Sequence, residues 1–164
     1  MRNVVEHIYR AHRQGLFTLA LSVTRSAERA EDAVQTAFER LWRRPRRLTG
    51  DRVAYVYRAV RNAALDQMRR ARSRPVEVTL GGGESIFDGR PSPPHRAMAA
   101  EDEALLRDAV EALPDAQREV IVMRVYGGLT FEQVAEAVGD PLPTVASRYR
   151  RGLDALRQKL EGRR

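Results

Sequence analysis

The sequence predicts an all-α protein: two small helical domains joined by a flexible linker. Three observations carry that expectation. Apolar residues recur at helical spacing through residues 1–74 and again through 101–164. Between them, residues 75–100 hold four of the eight prolines (Pro75, Pro91, Pro93, Pro94) and four of the eleven glycines (Gly81, Gly82, Gly83, Gly89). The C-terminal part closes with a short helix, a glycine-containing turn and a longer basic helix, the pattern of a helix-turn-helix. A chain of 164 residues is long enough for one domain or two small ones.

In the first helix Val5, Ile8, Tyr9, Leu16, Leu19, Ala20 and Val23 form the apolar stripe. Ser26 is placed to cap the second. Glu28, Glu31 and Asp32 fall early in it, where the helix dipole favours acids. Its apolar face reads Ala30, Val34, Ala37, Phe38, Leu41 and Trp42. Pro45 and Gly50 bracket a turn. A third helix is expected from about residue 53 to about 72, burying Tyr55 or Val56, Ala59, Val60, Ala63 and Met68. The linker has room for a short extended piece at 76–80. Its Gly81-Gly82-Gly83 run lacks the Gly-Lys-Ser/Thr and the helix start that a phosphate-binding loop needs, so no cofactor is expected.

Helices resume near Glu101, where Leu105, Leu106, Ala109, Val110 and Leu113 form one stripe. Pro114 opens a helix carrying Val120, Ile121 and Met123 or Arg124, which Gly127-Gly128 stops. Thr130-Phe131-Glu132-Gln133 fits a capping box, with Phe131, Val134, Ala135 and Val138 facing inward. Residues 139–143 make a tight break, and the last helix is expected from about Thr144. At about 100° per residue, Val145, Tyr149, Gly152, Leu153, Leu156 and Leu160 share one side of it. Ser147, Arg151 and Asp154 lie opposite, with Thr144, Arg148 and Arg150 on the flanks. That outer face suits a major groove: Arg can be bidentate to guanine, and Ser or Thr can meet base edges or phosphates.

The formal net charge is +7, and its distribution is uneven. Residues 40–74 hold twelve Arg against Asp51 and Asp66, residues 144–164 hold seven Lys+Arg against Asp154 and Glu161, and residues 99–119 hold seven acids against Arg107 and Arg118. The basic segments point to an acidic polymer as partner. One helix contradicts that trend. Glu28, Glu31, Asp32, Gln35 and Glu39 lie close together on a surface a nucleic acid would not want, which calls for a different partner or only a solvated face. The chain has no cysteine, hence no disulfide and no thiolate zinc site. His7, His12 and His95 are the only histidines, and no His-Glu-x-x-His occurs, so neither a catalytic nor a metal site is expected. No apolar run nears the about 18–20 residues that cross a bilayer, and the start does not read as a signal peptide. A soluble, intracellular protein is expected.

Five blocks, taken in order and separation, carry a resemblance: AEDAVQTAFERLW at 30–42, YRAVRNAALDQMRR at 57–70, Leu113-Pro114, GLTFEQVA at 128–135 and TVASR at 144–148. They resemble the extracytoplasmic-function group of bacterial RNA polymerase sigma factors, over nearly the whole chain except the linker. The resemblance implies a region 2-like helical bundle at 1–74, a linker at 75–100 and a region 4-like helix-turn-helix at 101–164. It implies core RNA polymerase and promoter DNA as partners, and a cytoplasmic protein, on the nucleoid when in holoenzyme. No metal, cofactor, chemistry of its own or membrane insertion is implied.

By the same resemblance, Glu31, Asp32, Gln35 and Glu39 would dock on the clamp helices of the polymerase's largest subunit. Phe38 and Leu41 would face the protein's own core, and Trp42 fits either side. Asn62 matches the Asn of the family's R-N-x-x-x-D pattern in the promoter-melting element. With the loop at 46–52, including Arg47, it would take a base flipped from the non-template strand. Unstacking costs a few kcal/mol, which amide edges, stacking and Arg contacts offset. Arg58, Arg61, Arg69, Arg70 and Arg72 would hold phosphates. In the second domain Thr144, Ser147, Arg148, Arg150 and Arg151 would approach the upstream element, and the domain would sit on the polymerase flap. Family members often bind an anti-sigma factor wedged between the two domains, which the resemblance admits here as a partner.

Three positions depart from the family. Tyr55-Val56-Tyr57-Arg58-Ala59-Val60 stands where a Trp is frequent, Pro143 where Gly is common, and Ala146 where Lys or Arg is common. Ala146 removes a contact to DNA, so the family's promoter sequence does not carry over. In the linker, Glu77, Glu84 and Asp88 are compatible with a path near the RNA exit. Two other functions compete. A stand-alone helix-turn-helix regulator accounts for residues 101–164 but leaves the acidic helix and the Asn62 segment without a use. A decoy that binds polymerase without reading promoters fits the departures at 143 and 146.

Overall fold

The computed structural model describes residues 2–43, 50–73 and 97–162. Those residues are helices and the turns between them, with no strand among them. Pro45, Arg47, most of the 46–52 loop, the 76–80 piece and the Gly81–Gly83 run lie outside the described residues.

Helices α1 (Arg2–Thr24), α2 (Ala27–Arg43) and α3 (Arg52–Ser73) pack pairwise as a three-helix unit. Val5, Ile8, Leu16, Leu19 and Ala20 are buried as the periodicity requires. The α1–α2 corner turns at Arg25, whose φ of 57° is a conformation usually left to glycine. Its guanidinium donates to the Glu111 carbonyl at 2.8 Å, at the carbonyl-rich end of a later helix. That long-range contact accounts for an arginine at such a position. On α2 the buried face is Ala30, Ala33, Ala37 and Phe38, and Trp42 at its end is 45% exposed. On α3 the register resolves to Val56 rather than Tyr55, Ala59 and Met68 are half-buried, and Tyr57 is fully buried. Asp51 caps α3: the Ala54 N–H donates to its Oδ1 at 2.9 Å.

Helix α4 (Ala97–Glu111) starts ahead of Glu101 and buries Ala109 and Val110, while Leu106, expected in the stripe, is exposed. Helix α5 (Asp115–Ile121) runs into a π-helical turn, Val122–Tyr126, closed by the Gly127 N–H donating to the Val122 carbonyl at 3.1 Å. Helix α6 (Phe131–Val138) has both bonds of the capping box: the Gln133 N–H to Thr130 Oγ1 at 3.1 Å, and the Thr130 N–H to Gln133 Oε1 at 2.9 Å. Gly139 ends it at φ 79°. Helix α7 (Leu142–Glu161) begins two residues before Thr144, because Pro141 is its N-cap and Pro143 sits in the first turn, where no N–H is needed. Val145, Gly152 and Leu156 are its buried positions, and Leu153 turns out 40% exposed.

The second unit does not stand apart from the first. Leu16, Tyr57 and Val60 share one buried cluster with Val122, Met123, Leu129 and Val134. Helix α3 packs on α6, and α1 packs on α5 and the π turn. A smaller cluster of Ala109, Val110, Leu113, Ile121 and Leu156 joins α4, α5 and α7.

Candidate functional site

Three surfaces carry the side chains singled out by the sequence. The first is on α2. Glu31, Asp32 and Gln35 are exposed and Glu39 is half-exposed, with Gln35 Nε2 donating to Glu39 Oε1 at 3.2 Å. They face outward because the small residues Ala30, Ala33 and Ala37 and the Phe38 ring hold the opposite face against α1 and α3. Beside them runs an open groove between α1 and α2, lined by Tyr9, Arg13, Phe17, Val34, Phe38 and Trp42. The Tyr9 and Phe38 rings meet edge-on at 4.9 Å, and the Trp42 ring tilts 6.1 Å from Phe38 toward solvent. This surface pairs an acidic stripe with an accessible aromatic rim, which suits a protein partner with basic side chains.

The second surface is α3, and the structure splits its basic residues. Asn62, Arg69 and Arg70 are exposed, and Arg69 lies 3.6 Å from Asp66. Arg58 and Arg61 instead face the second unit. Arg58 Nη2 donates to the Glu136 carbonyl, and Arg61 Nε donates to Glu119 Oε2 at 2.7 Å, with side-chain exposures of 23% and 9%. Asp51 at the head of α3 takes part as well. Its N–H donates to the Glu136 carboxylate at 3.1 and 3.3 Å, and its Oδ2 accepts from Gln133 Nε2 at 3.0 Å. The hydrogen bond from Ala54, then that from Gln133, hold the Asp51 carboxyl below its ordinary value against an opposing effect of burial.

The third surface is α7. It packs on α4, α5 and α6, and Arg150 and Arg151 are exposed on its outer side. Thr144 and Ser147 are half-buried near its start. Arg148 Nη1 donates to Asp140 Oδ2 at 2.5 Å, so this side chain braces the α6–α7 turn. The same turn is braced from inside by Arg124, whose guanidinium lies 4.5 Å over the Phe131 ring and donates to the Leu129 carbonyl. Among the described residues no group of three His, Asp or Glu is arranged to hold a metal, and no helix is long and apolar enough to cross a membrane.

Sequence reasoning missed Glu119 and Glu136 as partners of the α3 arginines, and Gln133 and Glu136 as partners of Asp51. Glu119 and Glu136 are 58 and 78 residues from the arginines they meet. A mid-helix acid carries no local sign of such a partner.

Comparisons with known proteins agree with this layout. Residues 8–74 match the family model for sigma-70 region 2, and residues 103–156 match that for sigma-70 region 4. The chain is 33% identical over 158 residues to the ECF RNA polymerase sigma factor SigL of Mycobacterium tuberculosis, covering 94% of this chain and 87% of that protein. It is 31% identical over 140 residues to the ECF RNA polymerase sigma factor RpoE of Cereibacter sphaeroides, covering 82% and 74%. In fold it is similar to the sigma factor RpoE solved with the anti-sigma factor NepR from Bartonella quintana, with a TM-score of 0.72 at 22% identity, covering 99% and 97% of the two chains. It is also similar to CnrH solved with the cytosolic domain of CnrY, with a TM-score of 0.64 at 19% identity, covering 99% and 90%.

Proposed function

The chain belongs to the extracytoplasmic-function family of RNA polymerase sigma factors, and from that premise we propose how its three surfaces divide the work of initiation. It binds core RNA polymerase, brings it to a set of promoters and leaves bond-making to the polymerase. Glu31, Asp32, Gln35 and Glu39 on α2 meet basic groups of the largest subunit's clamp helices. Helix α7 enters the major groove of the upstream element, with Arg151 reading a base edge and Arg150 on phosphate. Arg148 positions the helix through Asp140. The second unit also rests on the polymerase flap. Asn62, with Arg58, Arg61, Arg69, Arg70 and Arg47, takes the displaced strand as it unstacks. An anti-sigma factor is a further partner; one that wedged between the units would first have to displace the contacts from α3 to α5 and α6.

The observation that carries this reading is the coexistence, in one chain, of an exposed acidic stripe on α2 and an exposed basic helix-turn-helix face on α7. A stand-alone DNA-binding regulator has no use for the first. The test is co-elution with bacterial core RNA polymerase in gel filtration at moderate and high salt. The parent chain is expected to co-elute and Asp32→Arg to lose binding with its helical content intact, since the site is exposed. A folded parent that does not co-elute would return the chain to the stand-alone regulator. An Asp32→Arg variant that binds as before would remove α2 from the docking face.

A further inference from the structure

Arg124 has no part in the binding roles proposed above, yet it is tied to the helix that reads the upstream element. Its guanidinium lies 4.5 Å over the Phe131 ring, at the start of α6, and 5.7 Å from the centre of the Tyr149 ring, in the middle of α7. The two rings meet edge-on at 5.2 Å. Arg124 Nη1 also donates to the Leu129 carbonyl, in the turn just before α6. One cation thus joins the π turn, the start of α6 and α7. We propose that Arg124 is a positioning residue for promoter reading. Acting through Tyr149, it fixes the rotation of α7 about its own axis, and so the direction in which Arg151 leaves the helix. This inference rests on the base-reading role proposed for Arg151.

A cation is a costly way to fill this place. Arg124 Nε is buried and finds no hydrogen-bond partner among the described residues. An apolar side chain of similar length would fill the gap without that penalty. What the guanidinium supplies instead is direction. A cation sits over a ring face, and paired rings meet edge to face, so the contact weakens when either ring turns. A flexible apolar chain such as methionine would adapt to the turn and keep its packing. The held ring sets the aim of the reading residue. Tyr149 and Arg151 are two residues apart, about 200° around the helix, and Arg151 is exposed on the far side. The lever is short but sufficient. Side chains reach about 5–6 Å from a helix axis, so a roll of about 20° carries their tips about 2 Å. A hydrogen bond to a base edge holds only over about 2.7–3.2 Å. Attraction to phosphates carries no sequence information and survives such a shift. The Arg148–Asp140 bond does not replace this hold: it ties α7 to the turn before it, whereas Arg124 ties it to the π turn.

The test uses the full chain, in holoenzyme and free. A promoter fragment is first selected from a random pool by the parent holoenzyme. Its upstream element is then altered one base pair at a time, and the fragments compete for the same protein sample. A competition ratio does not depend on the fraction of protein folded, so a loss of stability alone leaves it unchanged. Arg124→Met is expected to lower the ratio roughly five- to thirtyfold, within what one bidentate base contact supplies. Affinity for an unrelated fragment and its salt slope should stay as in the parent. Tyr149→Leu should lower the ratio comparably, and the double variant no further than the larger single loss. Arg124→Lys, which keeps a cation over the rings, should recover most of the ratio. In an Arg151→Ala background, Arg124→Met should cost nothing more at the base pair that Arg151 reads. A ratio unchanged in Arg124→Met and Tyr149→Leu, but lowered by Arg151→Ala, would overturn the proposal and leave the reading role of α7 standing. A ratio that Arg151→Ala does not move would remove that role and the proposal with it. A lysine that loses as much as methionine would overturn the proposal too, because packing rather than the cation would then set α7. Should Arg124→Met fail to fold by circular dichroism, Tyr149→Leu and Arg124→Lys decide by the same ratio.

Discussion

The Tyr57 ring is fully buried, and its hydroxyl lies 3.3 Å from His12 Nδ1. Burial pushes that hydroxyl well above its ordinary value of 10.0. The sign follows from linkage. An unfolded chain loses this proton near its ordinary value while the folded chain keeps it. The contribution is therefore complete below that pH and is lost as pH rises above it. Urea midpoints measured from neutral to strongly alkaline pH are expected to fall in the parent, and to fall less steeply in Tyr57→Phe. An identical alkaline fall in both would place the effect elsewhere, with Tyr126, also raised by burial, as the next group to vary. Tyr57 was legible as part of a helix but not as core. Its neighbour Val56 satisfies the same helical spacing, and only the approach of Gly15 and Gly127 creates a place for a ring.

At the scale of elements, caps and stops were the most legible features because they depend on a few adjacent residues. The Thr130–Gln133 box and the left-handed Gly139 are local chemistry. The π turn at Val122–Tyr126 was not legible, since no residue type marks an added residue per turn. On α7 the wheel placed Val145, Gly152 and Leu156 inward and misplaced Leu153. Gly152 explains the difference. A Cβ there would lie 3.1 Å from the Ile121 side chain, so α7 seats closely on α5 at the glycine and Leu153 swings out. Arg151 faces solvent, as the wheel placed it, while Arg148 is held by Asp140. In holoenzyme, Arg151→Ala is expected to weaken discrimination between upstream-element variants by about 1–3 kcal/mol, read by competition between promoter fragments. An equal loss on every sequence would make Arg151 a phosphate anchor instead.

For the whole molecule, the shared cluster running from Leu16 and Val60 to Met123 and Val134 predicts cooperativity between the two units. Trp42 is the only tryptophan and sits on α2, so its fluorescence follows the first unit, while far-ultraviolet dichroism follows both. The two signals are expected to give coincident urea transitions in the parent. Separate midpoints would show units that fold independently and touch only weakly.

Legible without the fold were the helical stripes, the Thr130–Gln133 cap, the acidic stripe on α2 and the family. Each of these rests on residues a few positions apart, where periodicity, capping and motif spacing act. The tertiary structure alone decided that Arg58 and Arg61 turn toward Glu136 and Glu119 while Asn62 stays exposed. It also decided that Arg148 serves Asp140 and that Gly15 meets Gly127. The physical reason is separation along the chain. Apart from Arg148 and Asp140, these partners come together only when two helical units close over one core, and a charge or a glycine looks the same in sequence whether it meets water or a residue dozens of positions away.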